Sequence, residues 1–219
     1  MSNKKTIEAF SSGRCPVCDL LEQDEFDYLC HWVGVSGEKY KNSEERNRVL
    51  KLRGFCNYHF WEFEHLNTNY GSAEVCAGLI EQVIENLRNK KEKKLLLDSQ
   101  ENRIGSNCPL CADLKARESE YFKELASLLG YYENKTRYSK GWGLCIPHLI
   151  KAITYTNDDL LISFLLETGE KQLERIKMNA MEFIRKKDSP LRWEQTDDEK
   201  KSWFSAIEKL VGRRGQRNE

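Results

Sequence analysis

Apolar residues recur every three or four positions along most of this 219-residue chain, which is the spacing of one face of an α-helix. Leu21, Tyr28, Leu29 and Trp32 form such a stripe, and no stretch shows the strict alternation of a half-buried strand. The pattern predicts an all-α fold. The predicted helices cover residues 18–33, a short stretch from 56, and then 72–97, 111–129, 145–154 and 158–187.

Local signals mark where some of these helices begin. Asn157 is the predicted N-cap of the helix at 158–187, and Thr196-Asp-Asp-Glu199 matches a capping box. The capping box opens a final amphipathic helix. Its apolar side consists of Trp203, Phe204, Ile207, Leu210 and Val211. The polar segments 35–53 and 131–140 are predicted loops, where specificity residues most often lie.

The chain also matches itself. An offset of 93 places Leu21 on Leu114 and Tyr28 on Tyr121, and later segments match at offsets of 89 and 85. The offset changes only in predicted loops, which indicates a duplication into two tandem helical repeats of about three helices each. The predicted domains are a first repeat at 1–97, a linker at 98–107, a second repeat at 108–190, and a C-terminal helix with a basic tail at 191–219.

Each predicted repeat carries two short pairs of metal-ligand residues. The pairs are Cys15-Pro-Val-Cys18, Cys56-Asn-Tyr-His59, Cys108-Pro-Leu-Cys111 and Cys145-Ile-Pro-His148. Three thiols and one imidazole, delivered as two chelating pairs, complete a tetrahedral zinc site. We therefore expect one Cys3His site in each repeat, the first from residues 15, 18, 56 and 59 and the second from residues 108, 111, 145 and 148. Cys30 and Cys76 lie outside the pattern.

The local context suits metal binding. Helical patterns follow every pair, so we expect Cys18, His59, Cys111 and His148 in first helical turns, where the helix dipole favours thiolates. Gly54 and Gly143 each precede a ligand cysteine by two residues and would let the backbone approach the metal closely. A closed set of four ligands leaves no position for substrate, which argues against hydrolysis at the metal.

Two metal cofactors fit this ligand set. Two zinc ions are favoured because four ligands fill a tetrahedron and histidine seldom binds iron–sulfur clusters. Two [4Fe-4S] clusters are the alternative, since Cys-Pro dipeptides occur in ferredoxin-type sequences and many zinc knuckles use hairpins rather than helices.

Composition limits the classes of function. The 35 basic and 35 acidic residues cancel, so no general field attracts nucleic acid or anionic lipid. No segment resembles a signal peptide or a membrane span, which predicts a cytoplasmic protein that does not enter membranes. In a reducing cytosol, grouped cysteines favour metal over disulfides.

The ligand motifs, with the tail Trp203…Glu208-Lys-Leu-Val-Gly212, resemble an uncharacterised bacterial and archaeal family of helical cytoplasmic proteins. The resemblance covers nearly the whole chain. It implies that metal binding, by Cys15, Cys18, Cys56, His59, Cys108, Cys111, Cys145 and His148, is the shared property. It implies no activity.

Three functions remain open, and no catalytic residue is predicted. The first is a non-enzymatic, metal-stabilised scaffold that binds a protein partner, with Trp61 or Trp142 as candidate contact residues. The second is an iron–sulfur protein that transfers electrons or senses redox state. The third is a zinc-dependent nucleic-acid-binding protein that uses the basic runs at 88–94, 185–187 and 213–217. Since no nucleophile, base and electrophile can be assembled from the sequence, we favour a non-enzymatic protein.

Overall fold

A computed structural model describes residues 2–33, 51, 54–67, 69–88, 107–187 and 190–213. Regular structure in these residues is helical, without a strand, which confirms the all-α prediction. The helices are α1 (Ser2–Ala9), α2 (Pro16–Val33), α3 (Asn57–Leu66), α4 (Asn69–Arg88), α5 (Pro109–Leu128), α6 (Tyr132–Lys140), α7 (Ile146–Thr154), α8 (Asp159–Lys186) and α9 (Asp197–Val211), with a short 3₁₀ helix at Pro190–Glu194 before α9.

Side-chain caps define the starts of the two C-terminal helices. Thr196 accepts a hydrogen bond from the backbone N–H of Glu199, whose carboxylate accepts from the N–H of Thr196 in return, so the predicted capping box is present. For α8 the predicted cap is wrong by one residue. Asp158, rather than Asn157, accepts hydrogen bonds from the N–H groups of Leu160 and Leu161, because α8 begins at Asp159.

Of residues 131–140, predicted as a loop, all but the N-cap residue Tyr131 form helix α6. The buried side chain of this polar helix is Tyr138, whose ring packs edge-to-face against that of Phe10. Its hydroxyl also accepts a hydrogen bond from the backbone N–H of Leu144. One buried aromatic residue therefore holds a helix whose remaining side chains are mostly polar. The other predicted loop, 35–53, and the predicted linker at 98–107 lie almost wholly outside the described residues.

The first of two compact units comprises Met1–Leu21 and Glu118–Glu219. Its core contains Phe122, Leu125, Leu144, Leu149 and Leu165, all nearly inaccessible to solvent. Helices α8 and α9 pack along each other in this unit, joined by two hydrogen bonds from the Lys186 amine to the Glu199 carboxylate at 2.8 and 2.9 Å. Burial of apolar side chains at about 25 cal/mol per Å² supplies the main stabilisation of such a core.

The second unit comprises Glu22–Arg117. Its buried cluster combines Leu29, Phe55, Phe63, Val75, Leu79 and Leu110 with the cysteines Cys56 and Cys108. The rings of Phe55 and Phe63 lie 5.5 Å apart, and Phe60 completes an aromatic group beside them. The predicted domain boundaries and the repeat organisation stay predictions. No helix within the described ranges combines the length and apolarity needed to cross a membrane.

Candidate metal centres

Every predicted ligand pair lies at the start of a helix. Cys15 precedes α2, Cys56 precedes α3, Cys108 precedes α5 and Cys145 precedes α7. The second ligand of each pair is the third residue of its helix, as the sequence predicts. The N–H groups of a first helical turn have no partners within the helix and carry partial positive charge, so they stabilise thiolates placed there.

The first centre lies within the first unit and joins Cys15, Cys18, Cys145 and His148. The Nδ1 atom of His148 lies 3.3 Å from the Sγ of Cys15, 3.4 Å from that of Cys18 and 3.3 Å from that of Cys145. The Sγ atoms of Cys18 and Cys145 are 3.9 Å apart. All four residues are buried.

The second centre lies within the second unit and joins Cys56, His59, Cys108 and Cys111. Here the Nδ1 atom of His59 lies 3.3, 3.4 and 3.3 Å from the Sγ atoms of Cys56, Cys108 and Cys111. The Sγ atoms of Cys56 and Cys111 are 3.7 Å apart. This centre is slightly more open, since Cys111 is only half-buried.

The eight predicted residues thus form two Cys3His groups, but the predicted grouping within each repeat is wrong. The Cys15–Cys18 pair meets Cys145–His148 rather than Cys56–His59, and Cys108–Cys111 meets Cys56–His59. The physical reason is that the two Cys-Pro-x-Cys pairs are chemically equivalent, so spacing cannot choose between partners. The choice follows from the fold, in which residues 1–21 belong to one unit with 118–219.

Both groups have the dimensions of a single tetrahedral ion. In each, one ligand atom per residue lies within 4.8 Å of all the others. Metal–sulfur bonds of about 2.3 Å and metal–nitrogen bonds of about 2.0 Å give tetrahedral edges of about 3.8 Å between sulfurs and about 3.5 Å between sulfur and nitrogen. The distances between ligand atoms in both groups match these edges. Each group can therefore hold one metal ion.

A glutamate contacts the outer nitrogen of each ligand histidine. The Nε2 atom of His148 lies 3.1 Å from the Glu118 carboxylate, and that of His59 lies 3.4 Å from the Glu25 carboxylate. A hydrogen bond from Nε2–H to a carboxylate leaves Nδ1 free for metal and makes it a stronger ligand. Lys151 also donates to Glu118, at 3.0 and 3.1 Å.

These two glutamates beside the ligand histidines were not predicted from the sequence. A signal was available, because Glu25 and Glu118 are separated by the same offset of 93 that relates the two Cys-Pro-x-Cys pairs. Each lies ten residues after the first cysteine of its motif. Asp27 and Glu120 are related by the same offset, so the recurrence reduces the number of candidate carboxylates without identifying these two alone.

Three glycines prepare the backbone for the ligand cysteines. Gly13, Gly54 and Gly143 each stand two residues before a ligand cysteine, with φ angles of 77°, 83° and 73°. Side chains are strongly disfavoured in this left-handed region, which glycine enters freely. At Gly143 space is also restricted, since a Cβ atom would lie 1.9 Å from the Oε1 atom of Gln172. Gly54 and Gly143 were predicted from the sequence to lie close to a metal, whereas Gly13 was not.

Electrostatics in the first centre favour a bound cation. Hydrogen bonds from the neighbouring Cys15 and Cys18 lower the pKa of Cys145 to about 4, whereas bonding to Cys145 and Cys15 raises the pKa of Cys18. Burial alone would lower the pKa of His148, but the Cys15 sulfur and the Glu118 carboxylate raise it to about 9. The Cys145 thiol therefore ionises at the expense of the Cys18 thiol. A divalent ion removes this conflict by stabilising all three thiolates.

In the second centre, too, the pKa of one thiol is lowered while that of another is raised. Contacts with Cys108 and Cys111 lower the pKa of Cys56, while contacts with Cys108 and Cys56 raise that of Cys111. Burial opposes protonation of His59, yet the Cys108 and Cys56 sulfurs and Glu25 raise its pKa to about 11.

A buried lysine supports the loop before Cys145. Lys209 of α9 is completely inaccessible to solvent, and its amine donates to the Trp142 carbonyl at 2.8 Å and to Gln172 Oε1 at 3.2 Å. The amine also lies over the Trp142 ring, 4.4 Å from its centroid. Burial lowers the pKa of Lys209 to about 8, although the nearby charges of Cys15 and Cys145 oppose this shift.

The residues predicted to contact partners are divided between surface and interior. Trp61 is exposed, but Trp142 is buried beside Lys209 and cannot serve as a surface anchor. In the basic run at 185–187, Arg185 pairs with Glu182 at 2.6 Å and Lys186 with Glu199. The other two basic runs lie mostly outside the described residues.

Comparison with known proteins places the chain in a family. The model of a family of unknown function (DUF6062) matches residues 6–217. No curated protein and no solved structure matches the chain. The match confirms the resemblance to an uncharacterised family.

Proposed function

The chain belongs to DUF6062, a family of unknown function, and we propose that it is a non-enzymatic scaffold in which two structural zinc ions hold the helices and the outer side of α9 binds a protein partner. The ligand geometry supports the metal part of this proposal. The exposed apolar side of α9 supports the partner part and is the observation that carries it.

Ligand spacing favours zinc over an iron–sulfur cluster. A four-iron cluster binds each ligand through a different iron atom, which places the ligand atoms farther apart than around a single ion. Distances of 3.7 and 3.9 Å between sulfurs suit a single tetrahedral ion. The second-sphere glutamates Glu25 and Glu118 form the carboxylate–histidine arrangement common at zinc sites.

The net charge of the first centre is compatible with zinc, and an oxidised four-iron cluster with the same ligands would carry the same charge. Zn²⁺ with three thiolates and a neutral imidazole carries a net charge of minus one. The helix starts of α2 and α7 direct N–H groups toward this charge, and the buried Lys209 amine supplies a cation nearby. A closed, buried set of four ligands serves structure rather than catalysis.

Helix α9 exposes its apolar side and buries part of its polar side, the reverse of an ordinary surface helix. Trp203, Ile207 and Leu210 are 56%, 51% and 60% exposed, whereas the polar residues Ser202 and Lys209 of the same helix are buried. The predicted apolar side therefore faces outward. Because folding of the first unit leaves this side uncovered, a partner that covers it would gain the burial energy of large aromatic and aliphatic side chains.

Metal analysis of protein purified without oxygen tests the metal part. We expect colourless protein with about two zinc ions per chain, one for each Cys3His group. Brown protein that contains iron and sulfide, with visible cluster absorption, would instead establish the iron–sulfur alternative.

A pair of double variants tests the partner part. Trp203→Ser/Ile207→Ser removes the apolar side of α9, and Ile150→Ser/Leu160→Ser makes matched changes at exposed sites on α7 and α8. We expect one protein from extract of the source cell to be captured by wild type and by the control, and lost from the α9 variant. Light scattering determines whether that protein is a second copy of the chain. Equal capture by all three would exclude α9 as the binding surface.

A further inference from the structure

A concave groove of about 590 Å³ lies on the first unit, away from the apolar side of α9. Its walls come from four parts of the unit: the turn after α1, the end of α6 with Gly141 and Trp142, the middle of α8, and the first turns of α9. The volume is in the range of pockets that hold small molecules, which is about 300–1,000 Å³.

Cations dominate the charged lining of this groove. The lining contains one acidic residue, Asp198, and four basic residues: Arg137, Lys140, Arg175 and Lys201. The chain as a whole has equal numbers of basic and acidic residues, so the excess is local. Charges of one sign in a concavity focus the field and attract ligands of the opposite sign.

The cations converge from different helices. Arg137 and Lys140 belong to the last turn of α6, Arg175 to α8 and Lys201 to α9. The guanidinium of Arg175 is oriented by donation from Nη2 to the Gly141 carbonyl at 3.1 Å, which leaves its other N–H groups for a ligand. Asn179 adds an uncharged donor to the lining.

The wall that contains Gly141 is held firmly. Gln172, which is 2% exposed, donates from Nε2 to the carbonyls of Tyr138 and Gly141, both at 3.3 Å. The buried Lys209 amine donates to the carbonyl of Trp142. Fixed walls lower the cost of ordering side chains when a ligand binds.

We propose that this groove is a binding site for a phosphate-bearing small molecule. Guanidinium and ammonium groups that converge from several directions match the tetrahedral oxygens of a phosphate group, and arginine pairs with phosphate through two parallel hydrogen bonds. A nucleic acid would be matched by cations spaced along a strip, whereas these four surround one concavity. The site is separate from the metal centres and from the partner surface on α9.

Calorimetric titration of the metal-loaded full-length protein with pyrophosphate, at low and at moderate salt, tests the proposal. We compare Lys201→Glu with Lys200→Glu. Both lysines are exposed neighbours on α9, but only Lys201 lines the groove. The Lys201 change should weaken binding by about tenfold or more, the effect of losing one charge-assisted hydrogen bond. The Lys200 change should alter the affinity less than about twofold, as expected for a screened surface charge. Arg137→Gln, on the opposite wall, should weaken binding like Lys201→Glu.

Circular dichroism and metal content show whether each variant is folded. If Lys201→Glu fails to fold, Arg137→Gln decides the question alone. Absence of pyrophosphate binding by the wild type overturns the proposal, as does equal weakening by Lys200→Glu and Lys201→Glu. A short single-stranded RNA that binds more tightly than pyrophosphate, with loss in the same variants, would replace it with a nucleic-acid site.

Discussion

Gly13 and Gly143 differ in one respect that matters for the first metal centre. Both stand two residues before a ligand cysteine and both have positive φ. A Cβ atom at Gly13 would meet nothing within 4 Å, whereas one at Gly143 would collide with Gln172 Oε1 at 1.9 Å. The two positions therefore separate backbone strain from crowding.

Gly13→Ala should lower the free energy of unfolding by about 1–2 kcal/mol, the cost of placing a side chain at positive φ. Gly143→Ala should cost about 1–3 kcal/mol more, because Gln172 must move and its hydrogen bonds to the loop weaken. Urea unfolding of the metal-loaded proteins measures both. An equal decrease in the free energy of unfolding in the two variants would mean that Gln172 moves aside without loss of stability.

The two glutamates that contact the ligand histidines, Glu25 and Glu118, give a second prediction at the scale of single residues. Glu118→Gln should lower metal affinity about 10–100-fold at the first centre only, since the amide orients His148 without its charge. Glu25→Gln should do the same at the second centre only. Competition with a chromogenic chelator measures each affinity, and Glu120→Gln on α5 is the matched control. Unchanged affinities would show that these carboxylates do not support the histidines.

At the scale of elements, periodicity predicted most helices but could not decide which side of a helix faces inward. Helix α9 has a clear apolar side, and hydrophobicity alone would bury it. In the structure Lys209 and Ser202 face the interior instead, because Lys209 has acceptors in the Trp142 carbonyl and Gln172. Those acceptors come from residues far away in the sequence. Likewise, the polar composition of residues 131–140 predicted a loop, whereas burial of the Tyr138 side chain stabilises helix α6 there.

Lys209→Met tests this inverted orientation. Loss of the amine leaves the buried Trp142 and Gln172 oxygens without their donor, which should lower the free energy of unfolding by about 1–3 kcal/mol. Lys200→Met, on the exposed side of α9, should change stability by less than about 0.5 kcal/mol. Thermal unfolding of the metal-loaded proteins provides the comparison. A Lys209→Met protein as stable as the wild type would indicate that α9 does not depend on this contact.

At the scale of the whole molecule, each metal centre closes a long stretch of chain. Cys18 and Cys145 are 127 residues apart and Cys56 and Cys111 are 55 apart. Motif spacing was enough to predict the eight residues that form the two groups, and to place the second residue of each pair in a first helical turn, since both are local properties. It could not predict which pairs meet, because that depends on how distant segments fold together. A structural zinc ion contributes on the order of 10 kcal/mol of apparent binding free energy to such a fold.

Removal of a single thiol tests the grouping of ligands. Cys18→Ser should lose the metal bound with Cys145 and His148, while the centre that contains Cys56 keeps its own, so the content falls from about two ions per chain to about one. Cys30→Ser, which alters a cysteine outside both groups, should retain both ions. Loss of both ions from Cys18→Ser would show instead that the two centres depend on each other.

Cadmium NMR of protein with Cd²⁺ in place of the native metal tests the central claim most directly, because scalar couplings connect each ion to the Cβ protons of its own cysteines. We predict two cadmium resonances, one coupled to Cys15, Cys18 and Cys145 and the other to Cys56, Cys108 and Cys111. Couplings that join Cys15 and Cys18 to Cys56 on one ion would contradict the account.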